Sequence, residues 1–374
     1  MIELSWPQVS ARRLERAGLA TPHGPDGGTE GTVAAMCGAH AQVMSAAELS
    51  VGLRLGGVTR VHVREALWKE RGLVKTHGPR GTVHLLPARD LPSWVSALST
   101  LPVRPAPAYM RMTDEQTGQV VAAIGEAVKG AELTMDELSE AVVSATGPWA
   151  GDLVMPAFQT YWPRWRQVMH LAAHRGAFVF GAGRGRKVTY TAPPDTPPAT
   201  DGPAWLARNY LWAYGPATPA EFAQWAGGTI GWANAAFKEV ELEEVRLEGR
   251  PCWLLAGDTG MLAEPPRGVR LLPYFDAYVV AGRPRELLYA GAAAERALAG
   301  GQAGNYPVLL VDGEVAGVWH QRRSGSRIDV TVEPLRDLTT AQLGELEEQV
   351  ERVGEVLEGR PRLTIGPVTV GAHA

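Results

Sequence analysis

Polar and apolar positions along the chain predict the same order of elements in three successive segments. In each segment, apolar residues recur at helical spacing, and two short β-like runs then flank a turn. The predicted longer helices cover residues 61–71, 165–175 and 230–238, and shorter ones precede them at 46–55, 135–144 and 219–224. The predicted strand pairs are 73–76 with 82–86, 178–180 with 188–190, and 241–247 with 252–255. Helix, helix and hairpin in this order indicate a winged helix-turn-helix, so we predict three such units in tandem.

The last segment has a different pattern. Short β-like runs occur at residues 269–273, 278–280, 308–311, 315–319 and 328–332. They predict a small antiparallel sheet or β-barrel. Apolar residues at helical spacing from Leu343 to Leu357 then predict a closing helix that packs on it. The predicted fold class is therefore α+β, with three winged-helix units followed by a small β-barrel.

Proline- and glycine-rich stretches divide the chain at residues 102–107, 193–203 and 265–266, and residues 21–31 are predicted to form a loop. The alternative to winged helices is generic α+β structure. The predicted domains are winged-helix units at 1–103, 104–198 and 199–266, and the barrel at 267–374.

Composition excludes several classes of protein. The 374 residues are 45% hydrophobic and 20% charged, which is normal for a folded protein with more than one core. No apolar run approaches the roughly 18 residues of a membrane-spanning helix, and the first residues do not resemble a secretory signal. Two cysteines and nine histidines form no disulfide framework and no HExxH or CxxC pattern. We therefore expect a cytoplasmic protein with no metal and no cofactor.

Charge is unevenly distributed, although the net charge of −4 argues mildly against nucleic-acid binding. Residues 239–248 and 345–358 are acidic, whereas residues 184–187 and 322–327 are basic. A local basic stripe binds phosphates whatever the total charge. Scattered solvated charge is the simpler alternative.

The segment from Cys37 to Gln42 places two polar side chains among small and apolar neighbours. His40 and Gln42 are two residues apart, so an extended backbone points both to the same side. Together they can hold one water molecule. The simpler interpretation is that they cap a helix or satisfy a turn.

Four sequence blocks resemble the AlkZ/YcaQ-like family of winged-helix DNA glycosylases, and they follow the family order. These blocks are residues 36–43 (MCGAHAQV) with 46–49 and 53–55, residues 80–87 (RGTVHLLP) with 90–91, residues 272–278 (LPYFDAY) and residues 311–319 (VDGEVAGVW). The resemblance implies three tandem winged helices and a C-terminal β-barrel that form a C-shaped clamp on duplex DNA. It also implies excision of N7-alkylated guanines, including bulky natural-product adducts and interstrand crosslinks, and self-resistance to a DNA-alkylating natural product. The family's catalytic motif maps onto His40 and Gln42, with His40 where better-known members have Gln.

The chemistry of this reaction fits the two side chains. A guanine alkylated at N7 is cationic, so its glycosidic bond is already weakened and the enzyme must mainly position a water at C1′. Gln42 can accept from and donate to that water, and His40 can orient it or take its proton. No lysine stands beside the motif, which predicts a monofunctional glycosylase without a Schiff base.

Candidate DNA-binding residues lie on predicted strands and basic turns. Arg80, Thr82 and His84 alternate on one predicted strand, and Arg164 and Arg166 stand among tryptophans. The remaining candidates are on two basic hairpins: Arg184, Arg186 and Lys187 on the first, and Arg322, Arg323 and Arg327 on the second. Each set is a candidate for phosphate contacts.

The leading alternative is a non-catalytic DNA-binding protein, namely a winged-helix transcriptional regulator. A regulator has no need of a water-holding pair such as His40 and Gln42. Regulators are also commonly dimers on palindromic sites, whereas three units in one chain predict a monomer. A small-molecule hydrolase is less favoured because no nucleophile elbow or metal set is present.

Overall fold

Helices and strands are mixed along the whole chain, which confirms the predicted α+β class. A computed structural model describes residues 2–24, 27–103, 105–298 and 300–372. Within these ranges, no helix is both long and apolar enough to cross a membrane.

The first segment carries the helices and the sheet that hold the candidate catalytic motif. Its elements are β1 (Ile2–Leu4), α1 (Trp6–Arg16), α2 (Gly28–Ala35), β2 (Ala39–His40), α3 (Met44–Gly52), α4 (Arg60–Trp68), β3 (Leu73–His77), β4 (Val83–Pro87) and α5 (Leu91–Leu98). Strands β2, β4 and β3 form a three-stranded sheet in that order. The predicted helices and hairpin of this segment lie within a few residues of α3, α4, β3 and β4.

The predicted loop at residues 21–31 is wrong in its second half, since α2 begins at Gly28. Burial of Thr32 and Val33 stabilises this helix despite the glycines around them. Residues 25 and 26 of that loop, and residue 104 of the first predicted linker, lie outside the described residues.

The second segment repeats the helix and hairpin order with one unpredicted insertion. Its elements are α6 (Asp114–Ala127), β5 (Glu132–Thr134), α7 (Met135–Thr146), β6 (Leu153–Ala157), β7 (Thr160–Pro163), α8 (Met169–His174), β8 (Val179–Phe180) and β9 (Thr189–Thr191). Strands β5, β9 and β8 form a sheet, and β6 and β7 form a separate hairpin whose tip residue Phe158 is exposed. The predicted helix at 165–175 is a 3-10 turn (Arg164–Val168) followed by α8.

The third segment agrees closely with the prediction. Its elements are α9 (Gly202–Tyr214), α10 (Pro219–Ala226), α11 (Ile230–Lys238), β10 (Leu242–Leu247) and β11 (Arg250–Leu255). The helix α11 has the predicted bounds. Thr134 and Thr218 cap α7 and α10, since the hydroxyl of each accepts a hydrogen bond from the backbone N–H three residues on. Strand β1 joins this sheet, parallel to β10.

The last segment contains the largest sheet. Its elements are β12 (Val269–Leu272), α12 (Ala277–Ala281), α13 (Arg285–Leu288), α14 (Ala292–Ala297), β13 (Val308–Val311), β14 (Glu314–Ser324), β15 (Arg327–Pro334), α15 (Thr340–Leu357) and β16 (Arg360–Ile365). The five strands pair in chain order. Among the described pairings of this sheet, only β15 and β16 are parallel, because α15 carries the chain back across the sheet. These pairings leave β12 and β16 at the edges of a sheet packed against the predicted closing helix.

One strand prediction in this segment is wrong. Residues 278–280 were expected to be a strand, but they belong to α12. The Asp276 carboxylate accepts a hydrogen bond from the Tyr278 N–H at 3.0 Å and so starts a helix there. A short apolar run does not by itself distinguish a buried helix from a strand.

A buried ion pair joins the first segment to the last. Both side chains, Arg54 at the end of α3 and Asp276 before α12, are 0% exposed. The guanidinium donates to the two carboxylate oxygens at 2.7 and 2.8 Å, and the Ser50 hydroxyl donates to the same carboxylate at 2.6 Å. This bidentate geometry offsets part of the cost of burying two charges.

Replacing Asp276 with Asn should destabilise the protein strongly. The variant leaves the Arg54 charge buried without its counterion, which typically costs about 3–5 kcal/mol. We expect a clearly lowered urea midpoint, measured by circular dichroism. The control is Glu126→Gln, which breaks the exposed Lys129–Glu126 pair and should change the midpoint little. Equal midpoints for the two variants would contradict a structural role for the buried pair.

Candidate active site

A tight turn after α2 places His40 in the sheet of β2, β4 and β3. After α2 ends, Cys37 and Gly38 both adopt positive φ, at 52° and 90°. A Cβ on Gly38 would lie 2.9 Å from Leu86 Cδ2, so only glycine fits this approach to β4. The chain then enters β2, in which His40 is paired with His84 of β4. The strand ends at His40, and Gln42 lies in the bend that follows it.

His40 is enclosed by two rings. Its imidazole stacks on Phe275, with ring centroids 4.6 Å apart and planes inclined by 25°. The His84 ring meets it edge-on at 5.0 Å. The residue is only 9% exposed. His40 is therefore held rigidly at the edge of a buried region.

Burial keeps His40 neutral. Desolvation lowers its pKa to about 4, and the positive charge of Arg80 acts in the same direction. The Gln42 backbone N–H points at Nδ1 over 3.5 Å, a long hydrogen bond in which Nδ1 must be the acceptor. This contact places the ring proton on Nε2, so the neutral ring presents a donor there.

Gln42 follows directly after β2, and its side chain is exposed. Among the residues that the structure describes, none forms a hydrogen bond with its amide group. The backbone contact to Nδ1 brings residue 42 against the His40 ring. A buried neutral imidazole and an accessible amide thus occupy adjacent positions at the end of one strand.

The structure separates the three residues predicted to alternate on the following strand. Thr82 precedes β4, and its hydroxyl donates to Pro79 O at 2.9 Å. His84 is 4% exposed, and its Nδ1 donates to Thr82 O at 2.8 Å. Its pKa lies well below the ordinary histidine value because of burial and then the neighbouring His40. His84 therefore offers almost no surface for a DNA contact and instead supports His40.

Arg80 lies at the tip of the turn between β3 and β4, with φ of 60°. Histidine rings hold this turn from both sides: His77 Nδ1 bonds Gly81 O, and His174 Nε2 bonds Gly78 O, each at 2.9 Å. The guanidinium donates to the carbonyl of Trp225 at the end of α10. Its side chain lines a cleft of about 440 Å³ between this turn, α8 and the ends of α5 and α10.

Two further arginines extend the positive charge of Arg80. Arg283 donates to the Gln224 side chain, which also lines the cleft, and Arg285 donates to carbonyls at the end of α12. Burial and then the charge of Arg283 lower the pKa of Arg80 to about 10. No carboxylate of the described chain lies within ion-pair distance of these three guanidinium groups. Sequence reasoning missed Arg283 and Arg285, although the RPR triplet after residue 282 was a basic signal.

The basic hairpin of the second segment is partly neutralised. Arg184 pairs with Glu137 and Lys187 with Asp136, each at 2.8 Å, and both carboxylates belong to the first turn of α7. Arg186 is exposed and has no described ion-pair partner. Before this hairpin, Arg164 pairs with Asp152, and Arg166 lies over the Trp162 ring at 4.0 Å.

The second basic hairpin, formed by β14 and β15, also has cations that are bound to partners within the protein. Arg323 donates to the carbonyls of Gly325, Leu357 and Glu358, which ties the tip of β14 to the end of α15. Arg327 pairs with Asp329 at 3.1 Å, whereas Arg322 is exposed without a described partner. Arg184, Lys187 and Arg327 thus have carboxylate partners that the sequence pattern did not predict.

The lysine and the cysteine nearest to His40 and Gln42 are not placed or ionised to act as nucleophiles. Lys75 is paired with Leu85 on β4, so it lies on the face of the sheet opposite to His84, and its amine sits over Phe180. Burial raises the pKa of the Cys37 thiol, which keeps it protonated. Within the described ranges, no three histidine, cysteine or carboxylate side chains gather as a metal site.

Comparisons with known proteins point to one family. A sequence profile described as "DNA glycosylase AlkZ-like" matches residues 33–356. A Streptomyces sahachiroi protein named "Interstrand DNA cross-link repair glycosylase" is 29% identical over 341 residues, which cover 85% of this chain and 88% of that protein. The solved structure of Streptomyces sahachiroi DNA glycosylase AlkZ matches with a TM-score of 0.81 at 27% identity, covering 98% of this chain and 100% of that one. The chain is similar to these proteins over most of its length.

Acid should destabilise the folded protein through its buried histidines. His40, His84 and His174 all have lowered pKa values, to about 4 for His40 and His174. Unfolding therefore takes up protons, so their contribution is complete above about pH 6.5 and is lost as the pH falls towards 4. Three such groups give a slope of up to about 4 kcal/mol per pH unit.

The measurement is the urea midpoint between pH 7.5 and 4.5. His174→Gln keeps a donor for Gly78 O but cannot titrate, so it should reduce the proton uptake by about one. His62→Gln on the exposed face of α4 is the matched control and should leave the slope unchanged. A slope that is the same in both variants would rule out the buried His174 as its source.

Proposed function

Because the chain belongs to the AlkZ-like DNA glycosylase family, we propose that this DNA glycosylase hydrolyses the N-glycosidic bond of N7-alkylguanine in duplex DNA. The observation that carries the proposal is the adjacency of a neutral His40 and an accessible Gln42 at the end of β2. Neither group is a strong acid. An N7-alkylated guanine needs none, because its positive charge already weakens the bond to C1′.

The reaction then requires one water at the correct angle. Gln42 is proposed to accept a hydrogen bond from this water through its amide oxygen and so hold the water oxygen towards C1′. The bond from C1′ to the base nitrogen breaks with its electron pair going to the cationic base, and the water oxygen bonds to C1′. That oxygen then releases a proton to the surrounding water, which leaves an abasic sugar.

Two observations favour an orienting role for His40 over that of a base. A pKa of about 4 makes its neutral ring a weak proton acceptor at neutral pH. Nδ1 faces the Gln42 N–H, so the proton on Nε2 is available to donate to the water. We infer that His40 orients the water and that Gln42 accepts a hydrogen bond from it, while the surrounding water takes up the proton after attack.

The arginines around the cleft supply affinity in this proposal. Arg80, Arg283 and Arg285 carry positive charge without described carboxylate partners, and guanidinium groups suit phosphate oxygens. Arg80 connects this cluster to the reaction, since its charge also acts on His40. Arg186 and Arg322, exposed on the two basic hairpins, are proposed as more distant phosphate contacts.

The lesion class is inferred from chemistry and from the relatives. The Streptomyces sahachiroi relative is named for interstrand crosslink repair, and we propose that crosslinked guanines are also substrates here. Excision of such adducts would confer self-resistance to a DNA-alkylating natural product. We propose that three winged-helix units in this chain form a cytoplasmic monomer that surrounds DNA as a C-shaped clamp.

Incubation with a duplex that carries one N7-alkylguanine should release the free base and leave an abasic site. Hot alkali then cleaves the strand at that site, while untreated product stays intact. Borohydride should trap no covalent complex, because Lys75 lies on the far face of the sheet. Cleavage without alkali, or a trapped complex, would contradict the monofunctional mechanism.

Gln42→Ala should lower the single-turnover excision rate by about 100-fold or more, since a positioned polar group acts in the transition state. DNA affinity and folding should stay close to wild type because the side chain is exposed. His40→Ala should also be impaired, whereas His40→Gln should retain much of the activity if the residue only orients water. Wild-type rates for both alanine variants would show that the motif is structural.

Arg80→Ala and Arg283→Ala should each weaken binding to damaged and undamaged duplexes alike. Each lost phosphate contact should reduce the slope of log affinity against log salt by about one. The matched control is Lys129→Ala, which removes an exposed lysine already paired with Glu126. An unchanged slope in both arginine variants would exclude this cluster from the DNA interface.

A further inference from the structure

The segment between β12 and α12 places an aromatic ring on the candidate catalytic histidine. Phe275 is half-buried, and its ring lies nearly parallel to the His40 imidazole at 4.6 Å. The other described ring at His40 is His84, which approaches edge-on. Phe275 therefore provides the only flat ring contact to His40 among the described residues.

The backbone that carries Phe275 is strained and tightly held. Its φ is 54°, a left-handed conformation that typically costs about 1–3 kcal/mol outside glycine. The Phe275 N–H donates to Gly304 O at 2.9 Å. The next residue, Asp276, is fixed by its ion pair with Arg54. These contacts keep the ring in place although its local conformation is unfavourable.

A flat partner has a specific effect on an imidazole. The last torsion of a histidine side chain is broad, so the ring can turn about it when nothing restrains its plane. Rotation of the ring out of its present plane would move Nδ1 away from the Gln42 N–H and Nε2 away from the water. The stacked ring also excludes water from one face of the imidazole, which adds to the desolvation that keeps His40 neutral.

We propose that Phe275 is a positioning residue for His40. The phenyl ring holds the plane of the imidazole so that His40 and Gln42 bind the same water. This role rests on the proposed part of His40 in excision. The role also assigns a function within residues 272–278, a block of the family resemblance that does not contain the candidate catalytic residues. Phe275 needs no contact with the substrate for this role.

The competing explanation is that Phe275 only fills space. Three variants, each compared with the wild type, separate a positioning role from space filling. Phe275→Leu keeps apolar volume but loses the flat ring, whereas Phe275→Tyr keeps the ring. The third variant is Trp212→Leu. Trp212 is partly exposed on α9, where its ring packs under the Arg16 guanidinium at 5.0 Å. It is the matched control for removing an aromatic ring from a polar group elsewhere.

The first measurement is the single-turnover excision rate at saturating enzyme, together with DNA affinity and thermal stability. Phe275→Leu should lower the rate by about tenfold and leave DNA affinity within about twofold, because orientation is lost and binding is not. Phe275→Tyr should stay within about threefold of the wild type. Trp212→Leu should not change the rate, whatever its effect on stability.

The second measurement is a histidine titration by NMR in the free protein, which is independent of activity. The described groups that act on His40 are Arg80 and His84, and both remain in the variants. Phe275→Leu should therefore raise the pKa of His40 from about 4 towards 6.5, and an acid limb of the rate profile should move with it. In the wild type, the His40 ring protons should be shifted upfield by the stacked ring.

A normal chemical shift for these protons would overturn the proposal even if Phe275→Leu did not fold. It would also be overturned by an unchanged rate and His40 pKa in Phe275→Leu, or by a loss of rate that Phe275→Tyr shares. If the wild type does not excise N7-alkylguanine, the proposed function fails, while the titration still reports whether Phe275 restrains His40.

Discussion

The buried ion pair between Arg54 and Asp276 is the interaction on which the arrangement of the site depends. The two residues are distant in the chain, and their bidentate contact fixes the end of α3 against the start of α12. The candidate catalytic motif directly precedes α3. Phe275 directly precedes Asp276, and Arg283 follows α12. One contact therefore sets the distance between the motif and the last segment, from which the ring and part of the positive charge come.

The electrostatics of the site suit a charged substrate, with negative phosphates and a cationic alkylated base. The histidines nearest the motif are neutral because they are buried, and the arginines around the cleft keep a positive field without described counterions. Phosphates of a bound duplex would neutralise that field and leave the interior around His40 nonpolar. In such an environment, the enzyme would gain little from acid catalysis and much from a single well-placed water.

Local sequence signals predicted local structure well. Helix α11 follows from the spacing of its apolar residues, and strands β3 and β4 lie within a few residues of their predicted positions. The failures have different physical origins. Residues 278–280 are helical because the neighbouring Asp276 carboxylate caps them while its charge is paired with Arg54. Arg283 belongs to a basic triplet, but its place in the cluster depends on folding, which brings it near Arg80. The β6–β7 hairpin was missed because its apolar residues are exposed and so follow no burial pattern.

The parallel pairing of β1 with β10 has a consequence for how the chain is made. The Trp6 N–H donates to the Glu248 carboxylate, a partner 242 residues further along the chain. The apolar residues of α1 likewise pack in one cluster with residues of the third and last segments. During synthesis, these residues must wait until partners such as Glu248 have left the ribosome. Closing so long a loop is slow and entropically costly, so β1 and α1 complete their native contacts late although they are translated before those partners.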